Sequence, residues 1–313
     1  MRVAVIGSGG VGGFVGGRLA KAGHDVAFLA RGEHLRALQQ RGLRVTSTDG
    51  DFDVPSVKAT DRFEELGPAD LFLFTVKTYD TEATAALLKP LVKPGATVLT
   101  LQNGVDNHER IDAVLGAGVA LPGTIRIETT IVEPGVIAHT SKGHIIRFGE
   151  VGPDGVSSER VERLSAAFEE AGLTVNVPVN MRVELWDKLL FIVPFSGLTT
   201  LARAPIGAIL ASETLTGALA DMLAESAAVA KAEGVDFGPD VVEQRLRWMR
   251  RLHPEFKSSM QRDLERGKPL EIDSQVGTVV RLGAHHGIKV PVTACVNAVL
   301  DLEDRRARGT AGA

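Results

Sequence analysis

The clearest chemical pattern stands at the start of the chain, where the apolar run Val3–Ile6 is followed at once by glycines. Gly7, Gly9 and Gly12 form a G-x-G-x-x-G pattern that leads into a helical repeat. The first glycine permits a tight turn, the second lets the backbone approach a pyrophosphate, and the third lets helix and strand close up. A glycine-rich loop without a ligand is the alternative, but strand, loop and helix in this order predict a dinucleotide site. The predicted contacts are Gly7, Ser8, Gly9, Gly10, Val11 and Gly12.

Arg31 ends the second apolar run, 24 residues after Gly7, where the residue that reads the adenosine ribose is expected. A carboxylate at this place would favour NAD, whereas a guanidinium can hold a 2′-phosphate through two hydrogen bonds. Because the chain has an arginine here and no acid, we predict NADP as the cofactor. The alternative is an arginine that simply faces solvent.

Two more loops follow the carboxyl ends of strand-like runs, which is the edge where open α/β sheets bind ligands. Lys77 follows one run and could neutralise a carboxylate or contact the cofactor. Asn103 follows the next run and could orient a nicotinamide or a carbonyl. A solvated lysine and an Asn-Gly turn explain the same residues at least as well, so both roles stay open on the residues alone.

Lys188 is embedded in a strongly apolar helical run in the second half of the chain. Such a lysine extends its charge to solvent, pairs with Glu184 one turn earlier, or has a function. Farther along, Glu271 and Asp273 lie at the start of a helix that the pattern predicts from Ile272. These acids could bind a ligand or simply complement the helix dipole.

Composition excludes several classes of protein. The chain of 313 residues has 35 basic and 39 acidic side chains, so its formal net charge of -4 gives no global attraction for nucleic acid or anionic lipid. The arginines around Trp248 are interpreted as the basic solvent face of an amphipathic helix. With Cys295 as the only cysteine, no internal disulfide can form, and a reducing compartment is favoured.

No targeting or membrane segment is expected. The apolar run Leu189–Phe195 is far shorter than the roughly 18 residues needed to cross a bilayer. A cytoplasmic protein is therefore predicted. No metal site is expected either, because His285 and His286 are adjacent and diverge on a helix.

Short β-branched runs alternate with helical patterns up to Pro178, as in a doubly wound parallel sheet. The predicted strands are Arg2–Ile6, Val26–Ala30, Leu71–Thr75, Thr97–Thr100, Val119–Leu121 and Thr174–Asn176. The predicted helices between them are Val11–Ala22, His34–Arg41, Thr81–Leu88, Asn107–Val114 and Glu159–Ala171. Gly123–Gly149 is predicted to add antiparallel strands to the sheet edge. Gly10, Gly13, Gly16 and Gly17 are interpreted as helix-packing positions.

After Pro178 long helical patterns replace the strand-like runs. The predicted helices are Arg182–Phe195, Thr214–Glu233, Pro239–Arg251, Ile272–His286 and Val292–Asp304. The fold class is therefore α/β: an N-terminal Rossmann-type doubly wound sheet over residues 1–178 and a C-terminal all-α helical domain over residues 179–313. The first is predicted to bind NADP, and the second to serve substrate binding and dimerisation.

The motifs together resemble the ketopantoate reductase family (2-dehydropantoate 2-reductase) over nearly the whole chain. The resemblance rests on the glycine pattern, Arg31, Val76-Lys77-Thr78, Gln102-Asn103-Gly104, Trp186-x-Lys188-Leu, Ser258-Ser259-Met260-x-x-Asp263 and Glu271-Ile272-Asp273. It implies a site between two domains, NADPH as donor, and reduction of a 2-oxo acid to the 2-hydroxy acid, as in pantothenate biosynthesis. A homodimer through the helical domain is a further expectation.

The resemblance also implies roles for single residues. Lys188 becomes the general acid, Asn103 and Lys77 line the nicotinamide and the substrate, and Ser259 and Glu271 contact substrate and cofactor. The chemistry agrees, because hydride arriving at the 2-carbonyl leaves an alkoxide that a nearby cation stabilises and protonates.

One departure concerns the substrate. The family commonly has asparagines four and eight residues after the lysine, and here those places hold Ile192 and Ser196. Ser196 is kept as a substrate-binding candidate. Losing an amide weakens recognition of a substrate hydroxyl, so another branched 2-oxo acid stays an alternative to ketopantoate. A nonenzymatic NADP(H) sensor is a third reading, but Lys188, Asn103 and Glu271 argue against it.

Overall fold

The computed structural model describes residues 1–152 and 157–310. The chain divides into two compact units, the first of which is Met1–Glu184, while the second begins at Leu185. The division falls within a long helix, whereas the sequence placed the boundary after Pro178.

The first unit contains two sheets. The strands, in chain order, are β1 (Arg2–Ile6), β2 (Asp25–Leu29), β3 (Leu43–Ser47), β4 (Phe52–Val54), β5 (Lys58–Thr60), β6 (Leu71–Phe74), β7 (Thr97–Thr100), β8 (Ala120–Arg126), β9 (Thr129–Glu133), β10 (Val136–His139), β11 (Ile145–Phe148) and β12 (Thr174–Asn176). The larger sheet has eight strands in the order β12-β11-β8-β7-β6-β1-β2-β5, and the smaller has four in the order β4-β3-β10-β9.

The centre of the larger sheet reverses its direction of winding at β1. This strand pairs in parallel with β2 on one side and with β6 on the other, and β6 pairs in parallel with β7. The strands that follow β1 in the chain thus lie on both sides of it, β2 and β5 on one side and β6 and β7 on the other. At such a reversal of strand order a crevice opens at the carboxyl ends of the two central strands, here β1 and β6. The doubly wound α/β prediction is confirmed.

Among the described residues before position 181, six helices accompany the strands. They are α1 (Gly10–Lys21), α2 (Gly32–Arg41), α3 (Phe63–Leu66), α4 (Thr81–Leu88), α5 (Asn107–Leu115) and α6 (Glu159–Glu170). A short 3-10 turn, Thr78–Asp80, precedes α4.

The prediction for Gly123–Gly149 is wrong in part. Only β11 joins the larger sheet next to β8, in the antiparallel direction. The hairpin of β9 and β10 instead pairs with β3, forming the separate sheet. The physical reason is the buried face of β10, whose Ile137 is fully buried against α1 rather than at the edge of the larger sheet.

One face of α1 lies against the larger sheet through glycines. A Cβ added to Gly12 would come within 2.2 Å of the carbonyl oxygen of Gly7, and one added to Gly16 within 2.6 Å of the Val5 side chain. Neither position can hold a methyl group without displacing a neighbour. Close packing on β1 and the turn after it therefore requires these two glycines.

A second face of α1, about 100° farther round the helix, lies against the smaller sheet in the same way. A Cβ added to Gly13 would come within 2.9 Å of Ile137 on β10, and one added to Gly17 within 2.8 Å of Leu43 on β3. Because each pair of glycines is four residues apart, each pair forms one face of the helix. Both sheets of the first unit therefore pack closely against the glycine-rich helix α1.

The second unit is helical in its described part, with no strand up to residue 310. Its helices are α7 (Met181–Ala202), α8 (Ile206–Ala211), α9 (Glu213–Ala232), α10 (Val241–Met249), α11 (Ser259–Glu265), α12 (Val276–His285) and α13 (Pro291–Ala307). The all-α prediction is confirmed. The sequence missed α8 and α11, which have six and seven residues and are too short for a clear helical period.

Helix α7 is longer than the sequence suggested. It has 22 residues and continues past Pro194, and its length and apolar composition would suffice to cross a membrane. Most of its apolar window is buried inside the protein. That burial is typical of the core helix of a globular unit.

Candidate active site

The loop after β1 is fixed by its neighbours on both sides. Gly7 has φ +105, and a Cβ there would lie 2.8 Å from the backbone nitrogen of Val76. Ser8 is buried and donates a hydrogen bond of 2.7 Å from its hydroxyl to the carbonyl of Leu29. Thr75 donates a hydrogen bond of 2.8 Å from Oγ1 to the carbonyl of Gly7. The loop is thereby tied to the ends of β2 and β6.

The N-terminus of α1 fits an anionic group. Gly9 precedes the helix without a side-chain cap, and the first turn contains no acidic residue. A Cβ built on Gly9 meets nothing within 4 Å, whereas one on Gly10 would lie 2.7 Å from the carbonyl oxygen of Thr129. The N–H groups of the first turn therefore lack side-chain partners next to open space, as a bound pyrophosphate requires. Val11 belongs to the same turn.

Arg31 lies at the end of the neighbouring strand β2 and directly precedes α2. Its side chain is exposed. The acid nearest in sequence, Glu33, contacts Arg36. The structure thus confirms that Arg31 lies exposed at the end of β2, and its role in binding a phosphate stays a prediction.

Gln102 connects the loops that carry Lys77 and Asn103. The Gln102 side chain is buried and donates hydrogen bonds from Nε2 to the carbonyl of Val76 at 2.9 Å and to Oγ1 of Thr81 at 3.0 Å. Its Oε1 accepts a hydrogen bond of 2.9 Å from Thr100. The motif around Asn103 had drawn attention to Gln102 but had not given it this role. One amide thus holds the loops after β6 and β7 together.

The two candidate residues on these loops are half-buried. Lys77 precedes the 3-10 turn. Asn103 accepts a hydrogen bond of 3.0 Å at its carbonyl from Nδ2 of Asn107, and Gly104 then turns the chain with φ +130. The Asn-Gly turn is therefore real, and it leaves the role of the Asn103 amide untested.

An ion pair fixes the far side of the 3-10 turn. Arg110 on α5 donates to the carbonyl of Thr78 at 3.1 Å and to the Glu82 carboxylate at 2.6 Å. The hydrogen bond from Arg110 lowers the pKa of Glu82, against the opposing effect of burial. Glu82 therefore keeps its charge to lower pH than an unpaired glutamate, and the loop after β6 stays anchored to two helices.

In the second unit, Lys188 is half-buried on α7 between buried neighbours, Trp186 and Leu189. The preceding residue, Asp187, contacts Arg245 on α10. The prediction that Arg245 belongs to a solvent face is wrong, because its side chain is only 23% exposed and neutralises this aspartate.

Ile192 and Ser196 follow Lys188 at intervals of four residues, so all three lie along one face of α7. Both are buried, at 8% and 3% exposure. Phe195 stacks on Phe191 and on Phe256, with ring centroids 4.9 and 5.2 Å apart. The part of α7 after Lys188 is therefore surrounded mainly by apolar and aromatic groups.

The two adjacent serines at α11 differ in environment. Ser258 is buried, caps the helix by accepting from the N–H of Gln261 at 3.1 Å, and accepts from Oγ1 of Thr199 at 3.1 Å. Ser259 is exposed as the first residue of the helix. Ser258 is thus structural, while Ser259 remains the candidate for a ligand.

Glu271 lies in a loop and not at a helix start. The helix predicted from Ile272 begins at Val276, because the Ile272 carbonyl accepts from the N–H groups of Gln275 and Gly277 and closes a turn first. No acid lies in the first turn of α12, so complementing the helix dipole does not explain Glu271. The residue is half-buried.

His139 and His144 form a spaced histidine pair that the sequence prediction did not include. Within the described residues, His139 and His144 form a group with Asp49 that could hold a metal ion. The five-residue interval of the two histidines around a turn was the available signal, whereas Asp49 is too distant in sequence to be recognised. His286 instead contacts Glu233 at 2.5 Å.

The first unit thus brings the loops after β1, β6 and β7 to neighbouring strand ends, and the second presents Lys188, Ser259 and Glu271 on helices and a loop. A doubly wound sheet with such a glycine loop, followed by a helical unit, defines the class of dinucleotide-dependent oxidoreductases. The family model described as Ketopantoate reductase PanE/ApbA matches residues 3–153, and its C-terminal counterpart matches residues 180–303. The chain therefore belongs to the ketopantoate reductase family.

Relatives with full-length similarity support this membership. The chain is 36% identical over 310 residues to a 2-dehydropantoate 2-reductase of Halobacterium salinarum, covering 97% of this chain and 99% of that one. It is 32% identical over 304 residues to the uncharacterized oxidoreductase YkpB of Bacillus subtilis, covering 96% and 98%. The crystal structure of a PanE/ApbA family ketopantoate reductase from Ralstonia eutropha superposes with a TM-score of 0.90 at 33% identity, covering 98% and 100%. The chain is thus a nicotinamide-dependent oxidoreductase.

Proposed function

We propose that this protein reduces 2-dehydropantoate to pantoate with NADPH, as a step of pantothenate biosynthesis in the cytoplasm. The observation that carries the proposal is Lys188, a half-buried cation among apolar neighbours on α7, in a chain that matches both parts of the family. A lysine so placed is suited to acid catalysis at a carbonyl. The exposed Cys295, as the only cysteine, agrees with a reducing compartment.

The cofactor is held by the first unit. The uncapped N–H groups after Gly9 bind the pyrophosphate, and the Arg31 guanidinium pairs with the 2′-phosphate of NADPH. Asn103 and Lys77 orient the nicotinamide, and the hydrogen bonds of Gln102 hold the loops that carry them together. When bound, NADPH supplies the hydride that reduces the 2-carbonyl carbon.

Lys188 provides the proton. As the carbonyl oxygen gains negative charge, an ammonium group within about 3 Å stabilises it and then donates its proton to give the 2-hydroxyl. Apolar residues around α7 reduce competition from water for that charge. Lys188 thus combines electrostatic stabilisation with general acid catalysis.

The rest of the substrate is recognised by polar side chains. The substrate carboxylate requires a cation or hydrogen-bond donors, which Lys77 and the exposed hydroxyl of Ser259 supply. Glu271 accepts hydrogen bonds from hydroxyl groups of cofactor and substrate, and Ser196 contributes a hydroxyl one turn from Ile192.

A second candidate is the reduction of a different branched 2-oxo acid. The observation that favours it is Ile192, which is buried and apolar four residues after Lys188. An apolar group there contacts a hydrocarbon tail well but leaves a substrate hydroxyl without a hydrogen-bond partner. The same catalytic lysine would serve both substrates.

A substrate panel tests the proposal. The purified protein is given NADPH with 2-dehydropantoate or with the matched 2-oxo acid that lacks its hydroxyl, and kcat/KM is measured from the loss of NADPH absorbance. Faster turnover of 2-dehydropantoate supports the first candidate, and faster turnover of the hydroxyl-free acid supports the second. If NADPH binds but no 2-oxo acid is reduced, the protein is a sensor and the proposal fails.

A further inference from the structure

A cluster of metal-ligating side chains lies in the first unit, apart from the glycine loop. Asp49 is in the turn between β3 and β4, His139 ends β10, and His144 directly precedes β11. The side chains of His139 and His144 are 0% and 7% exposed, whereas that of Asp49 is 33% exposed. The cluster is therefore buried on the histidine side and open to solvent on the carboxylate side.

Backbone carbonyls fix which nitrogen of each ring carries hydrogen. Nε2 of His139 lies 3.2 Å from the carbonyl oxygen of Gly143, and Nε2 of His144 lies 3.1 Å from that of Gly172. A carbonyl oxygen can only accept, so each Nε2 contacts its carbonyl as an N–H donor. Nε2 of His139 also lies 3.1 Å from the hydroxyl oxygen of Ser141, which accepts from it while donating to the Gly143 carbonyl at 3.3 Å. In the neutral rings, each Nδ1 then carries a lone pair.

These Nδ1 atoms converge on the Asp49 carboxylate. Oδ2 of Asp49 lies 3.0 Å from Nδ1 of His144 and 3.8 Å from Nδ1 of His139, and the three atoms all lie within 4.8 Å of one another. Ser47 adds a hydroxyl oxygen 2.8 Å from Nδ1 of His139. The Ser47 hydroxyl donates to the lone pair of His139, whereas the lone pair of His144 faces the carboxylate and is repelled unless a positive charge, a metal ion or a proton, lies between them.

We propose that Asp49, His139 and His144 bind a divalent metal ion of the zinc class. Two imidazole nitrogens and a carboxylate oxygen are a ligand set that zinc favours, and tetrahedral zinc ligands lie about 3.4 Å apart, given metal–ligand distances of about 2.1 Å. The two separations from the Asp49 carboxylate, 3.0 and 3.8 Å, bracket that value, and the two ring nitrogens lie within 4.8 Å of each other. The Ser47 hydroxyl or water completes the coordination.

The surroundings match those of protein metal sites. Ligating histidines usually donate their other N–H to a carbonyl or carboxylate, as both rings do here. Phe14 of α1 packs against both rings, with centroids 4.8 and 5.2 Å away, and supplies an apolar shell.

A bound metal ion would link the two sheets of the first unit. Asp49 and His139 belong to the smaller sheet, and His144 leads into β11 of the larger one. An ion bound by these three side chains would join the two sheets that pack against α1. Binding a metal only in the folded state raises stability by mass action.

A zinc titration tests this proposal on the full-length protein. After removal of metals with a chelator, Zn(II) is titrated in competition with a chromophoric chelator, and thermal unfolding is followed with and without Zn(II). We expect one equivalent of Zn(II) to bind and to raise Tm. Asp49→Asn and His144→Gln should each weaken binding about 10- to 100-fold or more, whereas His286→Gln, which removes a histidine–glutamate contact elsewhere, should leave it unchanged.

Asp49→Asn is the safer of the two ligand variants, because Asp49 is partly exposed and the change preserves its shape. A folded Asp49→Asn protein with unchanged Zn(II) affinity would overturn the proposal. So would a wild-type protein that binds no Zn(II) and shows protons on both nitrogens of His144 by NMR, since a proton then supplies the positive charge. An anomalous-difference peak among the three side chains, in crystals grown with Zn(II), would confirm the site independently of any variant.

Discussion

The two units of this protein build their candidate sites from different parts of the chain. In the first, the backbone conformation and packing of the glycine loop form the site. Gly7 has a positive φ, Gly12 lies against the carbonyl of Gly7, and Gly9 borders open space. In the second, Lys188 and Ser259 are side chains on helices that would form with other residues at those positions. A site made of backbone restricts residue type, so it can be recognised from sequence, whereas a site made of side chains on helices needs the family resemblance.

Replacing Lys188 with alanine should give the largest effect on catalysis. Losing the general acid should lower kcat by about 10²-fold or more, because positioned acids contribute about 10²- to 10⁴-fold. NADPH affinity, measured by fluorescence titration, should stay unchanged if the backbone of the first unit holds the cofactor. Lys231→Ala, at a lysine whose side chain is 69% exposed on α9, is the control and should keep full activity. Full turnover in Lys188→Ala would remove the assigned role.

Two alanine substitutions in the glycine loop should separate folding from cofactor binding. Gly12→Ala should lower the free energy of unfolding by about 3 kcal/mol, because its Cβ would lie 2.2 Å from a backbone oxygen. Gly9→Ala meets no neighbour and should leave stability unchanged, while raising the NADPH dissociation constant about tenfold by filling the space beside the pyrophosphate. Denaturant unfolding and cofactor titration measure the two quantities. Equal effects of the two variants on both quantities would refute the distinction.

Arg31→Ala should act on one cofactor only. Losing a charge-assisted contact to the 2′-phosphate should raise the Kd of NADPH about tenfold and leave that of NADH unchanged. Arg36→Ala, at an exposed arginine on α2, is the matched control. If the wild-type protein binds NADH and NADPH equally, Arg31 has no such role.

The smallest effect is expected at an ion pair that contributes to stability alone. Glu150 accepts two hydrogen bonds from Arg160, at 2.6 and 2.5 Å, which lower the pKa of its carboxyl. Because the folded pKa lies below the unfolded one, the stabilisation is present above the unfolded pKa and is lost as pH falls through the folded pKa. Glu150→Gln should therefore cost about 1 kcal/mol at pH 7 and little at strongly acidic pH.

Urea unfolding at several pH values measures that difference, with Glu162→Gln, an exposed glutamate on α6, as the control. The NADPH affinity of Glu150→Gln should equal that of the wild type. A loss of stability that does not depend on pH would show that the carboxyl charge is not the cause.

The sequence predicted most elements of the larger sheet because its strands are continuous apolar runs between clear helical repeats. It did not reveal the smaller sheet, since exposed polar residues interrupt β3 and β4 and the β9–β10 hairpin finds its partners through long-range packing on Gly13 and Gly17. Local pattern does not specify such pairings.

The same limit applies to the candidate sites. The sequence predicted the glycine loop and the order of its flanking elements, and the structure added the close contacts that require glycine at Gly7 and Gly12. The start of the helix after Glu271 was misplaced because a turn closed by the Ile272 carbonyl comes first. The cluster of Asp49 with His139 and His144 joins residues some 90 positions apart, which no short motif contains.

Transfer of deuterium from NADPH that carries deuterium at both C4 positions of the nicotinamide tests the proposed activity most directly. The purified protein is mixed with labelled NADPH and 2-dehydropantoate in ordinary water, and the product is examined by mass spectrometry and NMR. We predict pantoate with one deuterium at C2, formed in equal amount to NADP⁺. Unconsumed NADPH, or a product that carries solvent hydrogen at C2, would contradict the account.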